Sequence, residues 1–212
     1  MSDALILKMP FAKRLFDVVF SGFVIFMAAP IWIFFLIGIF IEHLLRGYPL
    51  DPLFYKEIRI SQGKRFFIYK FNIFDQREID RMRNLGVFIH TKELEHNGRL
   101  IFLGNLLRQT YLDELPQLWN VFKGEMSIVG PRPLNEKVYE SLKEKEIPVI
   151  DVLKGGLAGL VQASKGEGSK STAELDADYL EQYRVRGSVS IVLYDLRIIL
   201  RTIRVMLDAK GI

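Results

Sequence analysis

The 212-residue sequence contains no cysteine. Disulfides, thiolate metal centres and cysteine nucleophiles are therefore excluded, and nothing requires an oxidising compartment. Histidine is scarce too: His43, His90 and His96 show no metal-ligand spacing and read as structural or exposed. The chain has no internal repeat, no long linker dividing it into domains and no dense basic tract. Charge is nearly balanced, with 29 Lys and Arg against 25 Asp and Glu, a net of +4. This small excess favours an anionic partner such as lipid headgroups or nucleotides, while the missing basic tract disfavours nucleic acid. Half of the residues are hydrophobic and a quarter charged, which excludes disorder for most of the chain.

Mean hydropathy is +0.16, high for a soluble protein and low for a multi-span membrane protein. One run accounts for it. Val18 to Ile41 is 24 residues without a charge, about 36 Å of helix against a hydrocarbon core of roughly 30 Å. The run is too long for a signal peptide, and no small-residue cleavage site follows before Glu42 and His43. Membrane insertion is therefore expected in preference to a buried core helix. Pro30 lacks an N–H and its ring clashes with the carbonyl of Phe26, so a kink is expected at Ala29-Pro30. Lys8, Lys13 and Arg14 precede the run, and Arg46, Lys56, Arg59, Lys64 and Arg65 follow it. Positive charge on both flanks calls for both ends in the cytoplasm. A re-entrant hairpin that breaks at Ala29-Pro30 satisfies this; a single straight span is the alternative.

The expected fold class is α/β and mainly helical, with residues 1–48 as the membrane segment and 49–212 as one cytoplasmic, membrane-associated body. Phe66 to Phe71 has strand character and is closed by Asn72. Residues 75–97 read as helix and loop, Leu100 to Phe122 as helical, and Glu136 to Lys145 as a short charged helix. Gly155 to Ser171, with Gly155, Gly156, Gly159, Gly166 and Gly168, reads as a flexible loop. A last helix is expected from Ser190 to Leu207, with Arg197, Arg201, Arg204 and Asp208 on one stripe. Such a basic amphipathic helix suits either the membrane interface or a solvated surface, and the segment from Arg99 to Arg108 invites the same two readings.

Residues that could do chemistry concentrate between 108 and 133. Pro116 is tolerated only in a first turn, so a helix is expected to begin near Leu112–Leu115 and to stop at Gly124. Asp113 and Glu114 then fall at a helix N-terminus, where they either cap the helix or serve as a carboxylate nucleophile or metal ligand beside a phosphate. Just downstream, Pro131 and Pro133 flank Arg132, presenting its guanidinium from a stiff loop suited to phosphate.

The stretch Leu107-Arg108-Gln-Thr-Tyr-Leu-Asp113-Glu114-Leu-Pro116-Gln-Leu-Trp-Asn-Val-Phe-Lys-Gly-Glu-Met-Ser127-Ile-Val-Gly130-Pro131-Arg132-Pro133 closely resembles the signature of the bacterial sugar transferases known as monotopic phosphoglycosyl transferases. The blocks Lys13-Arg14-Leu-Phe-Asp17, Phe66-Phe-Ile-Tyr-Lys70-Phe71, Gly156-Leu-Ala-Gly159-Leu-Val-Gln162 and Asp176-Ala-Asp178-Tyr179 extend the likeness. It implies transfer of a sugar 1-phosphate from a UDP-sugar to polyprenol (undecaprenyl) phosphate, with release of UMP, at the cytoplasmic face of the bacterial inner membrane. It further implies Asp113 as the nucleophile of a ping-pong route through a covalent phosphosugar-aspartate, and Glu114 as the ligand of Mg²⁺. Lys70, Arg108, Arg132 with Pro131 and Pro133, and Gln162 match substrate- or phosphate-binding positions. Membrane lipids are implied partners, and a homodimer stays open.

The sequence departs from the family pattern at three places. Asn72-Ile73-Phe74 stands where Arg, a small hydroxyl residue and Met are usual, Gly155 where Pro is usual, and Ala29 where Ser often precedes Pro30. Two other readings are carried alongside: a polyprenyl-phosphate glycosyl transferase releasing UDP, and a non-catalytic membrane scaffold.

Overall fold

Apolar length dominates the first element. In the structure, a computed structural model that describes residues 6–47, 52–74, 84, 100–144, 149–165 and 170–208, Phe11–Leu45 forms one 35-residue helix, α1, with Pro30 inside it. It is long and apolar enough to cross a membrane, and only 11% of its most apolar stretch is buried within the protein. A core helix would bury most of that surface, so the core-helix alternative fails and a lipid-facing role fits. The backbone stays helical through Ala29-Pro30, so the expected break is not a loop between two helices.

Among the described residues, the elements after α1 are β1 (Phe54–Ser61), β2 (Lys64–Phe71), α2 (Phe102–Gln109), a 3₁₀ turn (Leu112–Glu114), α3 (Gln117–Lys123), β3 (Ser127–Val129), α4 (Glu136–Lys143), α5 (Val149–Val152), β4 (Gly156–Ala158), α6 (Leu160–Ala163), α7 (Thr172–Val185) and α8 (Ser188–Asp208). The protein is mainly helical, with two small sheets. β1 and β2 form a hairpin across Gln62 and Gly63, both at positive φ, which matches the right-handed twist of the strands. The strand expected at Phe66–Phe71 is present and begins two residues earlier. β1 escaped the sequence reading because Lys56, Glu57 and Arg59 interrupt its apolar residues. Residues 75–97 lie outside the described residues except Asn84, as do His90, His96 and Lys145.

The chain packs as two compact units, Met1–Ile25 with Glu57–Ile68 and Gln117–Ile212, and Phe26–Lys56 with Tyr69–Pro116. In the first, β3 and β4 pair in parallel, with Ser127 opposite Gly156 and Val129 opposite Ala158. A buried polar network supports this pair. Lys13 Nζ donates to Asp195 Oδ2 at 2.5 Å and to the Val129 carbonyl at 3.0 Å. Tyr179 Oη donates to Asp195 Oδ1 at 2.9 Å, and Asp17 Oδ1 accepts from the Ile128 N–H at 3.1 Å. Burial pushes the Asp195 carboxyl above its ordinary range, and the Lys13 ammonium opposes that shift.

This corrects the charge reading of the N-terminal flank. Lys13 is 1% exposed, and the Arg14 guanidinium donates to the Val121 and Phe122 carbonyls at the end of α3. Both cations serve the interior, because the last carbonyls of a helix and a buried carboxylate need donors more than a lipid headgroup does. α8 exposes Arg197, Arg201, Arg204 and Asp208 as expected, and buries Ile191, Asp195, Ile198 and Thr202 on a separate stripe.

In the second unit, Phe35, Ile39, Phe71, Ile73, Phe74, Leu100, Ile101 and Leu107 form the core, with Trp32, Leu36, Leu112 and Leu115 packed against it. Each large apolar side chain buried this way contributes about 1.5–3 kcal/mol. Asn72 sits beside this core, 2% exposed. Its side-chain amide donates to the Pro52 carbonyl at 2.8 Å, while its backbone N–H donates to the Leu53 carbonyl. Asn72 therefore ties β2's exit to the chain before β1.

Candidate functional site

The helix expected to begin at Leu112 is two elements. α2 ends at Gln109, and Tyr111 adopts a left-handed conformation at φ 57° and ψ 15°. The 3₁₀ turn Leu112–Glu114 follows, and α3 starts only at Gln117, after Pro116. Asp113 and Glu114 thus lie within a tight turn ahead of the helix, not in its first turn as expected. Leu115 still has helical backbone angles, φ −52° and ψ −36°, so the delay comes from the N–H that Pro116 lacks: the residue fits best where the next helix has yet to form its bonds. The stop at Gly124 is as expected, at φ 85°.

The turn brings two carboxylates against one ammonium. Lys70 Nζ, from the end of β2, donates to Glu114 Oε1 at 2.7 Å and lies 3.9 Å from Asp113 Oδ2. The environments of the two acids differ: the Asp113 side chain is 7% exposed and that of Glu114 is 31%. A buried oxygen beside a cation and a more open neighbouring carboxylate suit a nucleophile and a ligand that reaches outward. Arg108, half-buried in the last turn of α2, belongs to the same unit.

Arg132 and Gln162 belong to the other unit. Arg132 is exposed between buried Pro131 and Pro133, directly after β3. Gln162 lies in α6, after β4. The two strands run parallel, so both segments leave the same end of the sheet, the end where α/β sheets commonly hold ligands.

Glycine makes this pairing close. A Cβ at Gly130 would come within 2.3 Å of the Lys154 carbonyl oxygen, and one at Gly156 within 2.1 Å of the Gly130 nitrogen. The loop expected at Gly155–Ser171 is corrected accordingly. Its early residues form β4 and α6, and its early glycines permit close backbone approach instead of flexibility. Gly155 likewise makes room for the Pro133 ring, which would lie 2.6 Å from a Cβ there.

For a divalent cation, the donor set near Lys70 is one open carboxylate and one buried carboxylate, both hard oxygens. No group of three or more His, Cys, Asp or Glu side chains that could hold a metal occurs among the described residues. That composition fits Mg²⁺, which commonly takes one or two carboxylates and completes its shell with substrate phosphate oxygens and water. His43 is buried.

A turn-borne acidic pair on a lysine, followed along the chain by a parallel strand pair and a proline-framed arginine, suits a phosphate-handling transferase. Residues 8–209 match the model of the bacterial sugar transferase family, and the chain belongs to that family. It is 34% identical over 204 residues to an uncharacterised sugar transferase, EpsL, of Bacillus subtilis, covering 94% of this chain and 89% of the relative. It is 28% identical to the undecaprenyl-phosphate galactose phosphotransferase of Salmonella typhimurium, over 90% of this chain and 41% of that protein. It is 27% identical to the UDP-glucose:undecaprenyl-phosphate glucose-1-phosphate transferase of Escherichia coli, over 85% of this chain and 38% of that protein. The chain thus spans most of the first relative and about two-fifths of the longer two.

Proposed function

We propose that the protein transfers a sugar 1-phosphate from a UDP-sugar to polyprenol (undecaprenyl) phosphate and releases UMP, starting a glycan on the cytoplasmic face of the bacterial inner membrane. The observation that carries this reading is the placement of Lys70 against both Asp113 and Glu114. In the first half-reaction an Asp113 carboxylate oxygen attacks the sugar-bearing phosphorus. A new P–O bond forms to Asp113, the bond to the bridging oxygen breaks, and UMP leaves with that oxygen and its electron pair. In the second, a phosphate oxygen of the acceptor attacks the same phosphorus, and the Asp113 carboxylate departs. Lys70 holds positive charge beside the attacking oxygen and the diphosphate throughout. Glu114 would hold Mg²⁺, which when bound neutralises phosphate charge. Arg108 and Arg132, with Gln162, are assigned to the donor's phosphates and nucleotide by the family likeness. The half-helices on either side of Pro30 are proposed to enter and leave one leaflet, with α8 lying in the interface.

The test is intact-protein mass spectrometry of detergent-purified protein incubated briefly with Mg²⁺ and a panel of UDP-sugars, with nucleotide release followed in parallel. A mass increase of one sugar phosphate, matched by UMP and absent in Asp113→Asn, supports the reading and names the sugar. UDP without an adduct sinks the nucleophile assignment and favours direct glycosyl transfer. Silence across the panel favours the scaffold.

A further inference from the structure

We infer that Glu42, at the C-terminal end of α1, is a positioning residue for the Asp113–Glu114 turn; its catalytic consequence rests on the phosphosugar-transfer reading above. The argument begins with an unmet need. The first N–H groups of α2 require acceptors from outside the helix. The residue in the capping position is Ile101, whose side chain has no acceptor and is fully buried in the core. A Ser or Asp at that position would supply the bond but forfeit the packing.

Glu42 supplies it from another element. Its Oε1 accepts from the Phe102 N–H at 2.5 Å and its Oε2 from the Leu103 N–H at 3.2 Å. The Glu42 side chain is 14% exposed, and Arg46, just past the end of α1, holds the carboxylate with its Nη2 at 3.0 Å. A carboxylate across two N–H groups at the positive end of a helix makes charge-assisted hydrogen bonds.

The remainder of α2 is clamped in a way that passes this constraint along. The Ile101 N–H donates to the Ile73 carbonyl at 3.0 Å. A Cβ at Gly104 would lie 2.7 Å from that same carbonyl oxygen, and one at Gly38 would lie 2.6 Å from Leu103. Helix α2 therefore sits directly against both α1 and the strand exit that follows Lys70. At its far end the chain stays hydrogen-bonded into the catalytic turn. Thr110 Oγ1 donates to the Leu106 carbonyl at 2.8 Å, Tyr111 N–H to the Arg108 carbonyl, and Glu114 N–H to the Tyr111 carbonyl. Beyond Gly104, which is wedged against Ile73, no glycine precedes Asp113. A shift or fraying of the first turn of α2 therefore moves Arg108 and both carboxylates relative to Lys70.

Two readouts on the 212-residue protein in lipid nanodiscs test this. Hydrogen exchange of residues 100–116 follows the order of the turn, and UMP release gives kcat and KM. Glu42→Ala is expected to speed exchange across the whole of that segment, including the residues after Arg108, while leaving β3 unchanged. It should lower kcat by about tenfold or more, since small misplacements of reacting groups cost this much, with KM for the UDP-sugar nearly unchanged. Glu42→Gln keeps the shape and one acceptor oxygen, and should give the same pattern at smaller amplitude.

Faster exchange confined to the first turn of α2, with kcat intact, would reduce Glu42 to a structural cap and overturn the inference. So would a fall in kcat without any change in exchange. If Glu42→Ala lowers the melting temperature so far that the fold is lost, Glu42→Gln decides, and its equality with wild type in both readouts overturns the proposal. A wild-type protein that releases no UMP would instead defeat the transferase reading, and the exchange data alone would then decide whether Glu42 orders the turn.

Discussion

Lys70 Nζ lies 2.7 Å from Glu114 Oε1 and 3.9 Å from Asp113 Oδ2, so one ammonium serves two adjacent carboxylates. The lysine comes from a strand and the acids from a turn, with Glu114 44 positions later in the chain. Two negative charges side by side in a partly buried turn repel each other, and the lysine offsets that repulsion before any substrate arrives.

Removing the ammonium should therefore damage catalysis more than stability. Lys70→Met is expected to lower the rate of UMP release by about 10²-fold or more, comparable to removing one preorganised electrostatic partner. Asp113→Asn should eliminate the covalent adduct and lower turnover by at least about 10³-fold. Stopped assays with separated nucleotides check both, and a Lys70→Met enzyme at wild-type rate would remove the lysine from the mechanism.

Chelation should silence the enzyme reversibly. With excess EDTA, UMP release is expected to stop, and Mg²⁺ to restore it. Glu114→Gln should raise the Mg²⁺ concentration needed for half-maximal rate by about tenfold or more, because even ligand-supporting residues alter metal affinity by about 10–100-fold. A titration in which Glu114→Gln and wild type coincide would mean that the cation binds elsewhere.

The Lys13–Asp195 pair predicts a specific pattern of stability. Both side chains are almost completely buried, so Lys13→Met leaves an uncompensated carboxylate and should cost about 3–5 kcal/mol. The double change Lys13→Met with Asp195→Leu should recover much of that loss. Chemical denaturation of the four proteins of this cycle measures the coupling, and additive losses would contradict it.

Asp176 makes stability depend on pH. Burial pushes its carboxyl up to about 6 from an ordinary 3.8. The folded state thus favours the protonated form, so the contribution of Asp176 is most favourable below pH 3.8. That contribution declines as pH rises, and beyond about pH 6 the full cost of a partly buried charge applies. Asp176→Asn should raise the melting temperature at about pH 7.5, by a stability gain on the order of 1–3 kcal/mol, with the gain fading towards about pH 4. Thermal scans at the two pH values check the sign.

Several features were legible because they depend on neighbours in sequence. The apolar run marked most of α1, Gly124 marked a helix end, and the strand at Phe66–Phe71 needed only its own β-prone residues. The acidic pair and the proline-framed Arg132 stood out through local chemistry, and the long signature around them matches the family to which the chain belongs. Other features were hidden because their partners are distant. Gly155, Gly156 and Gly159 read as flexible until β3 was laid against β4. Lys13 counted as a membrane-flanking charge until Asp195 met it from 182 positions away. Glu42 gave no signal at all, since a glutamate after an apolar run is ordinary and the N–H groups it serves begin 60 positions on.

The sequence alone determined the membrane-seeking helix, the mainly helical class, the acidic pair and the stiff arginine loop, because hydrophobic length, backbone restriction and local motif are properties of contiguous residues. Tertiary structure decided which cation faces Asp113 and Glu114, which glycines permit close backbone contact and which carboxylate caps α2. Those outcomes follow from burial: a polar group taken from water must find its partner wherever the fold provides one, however far along the chain that partner lies.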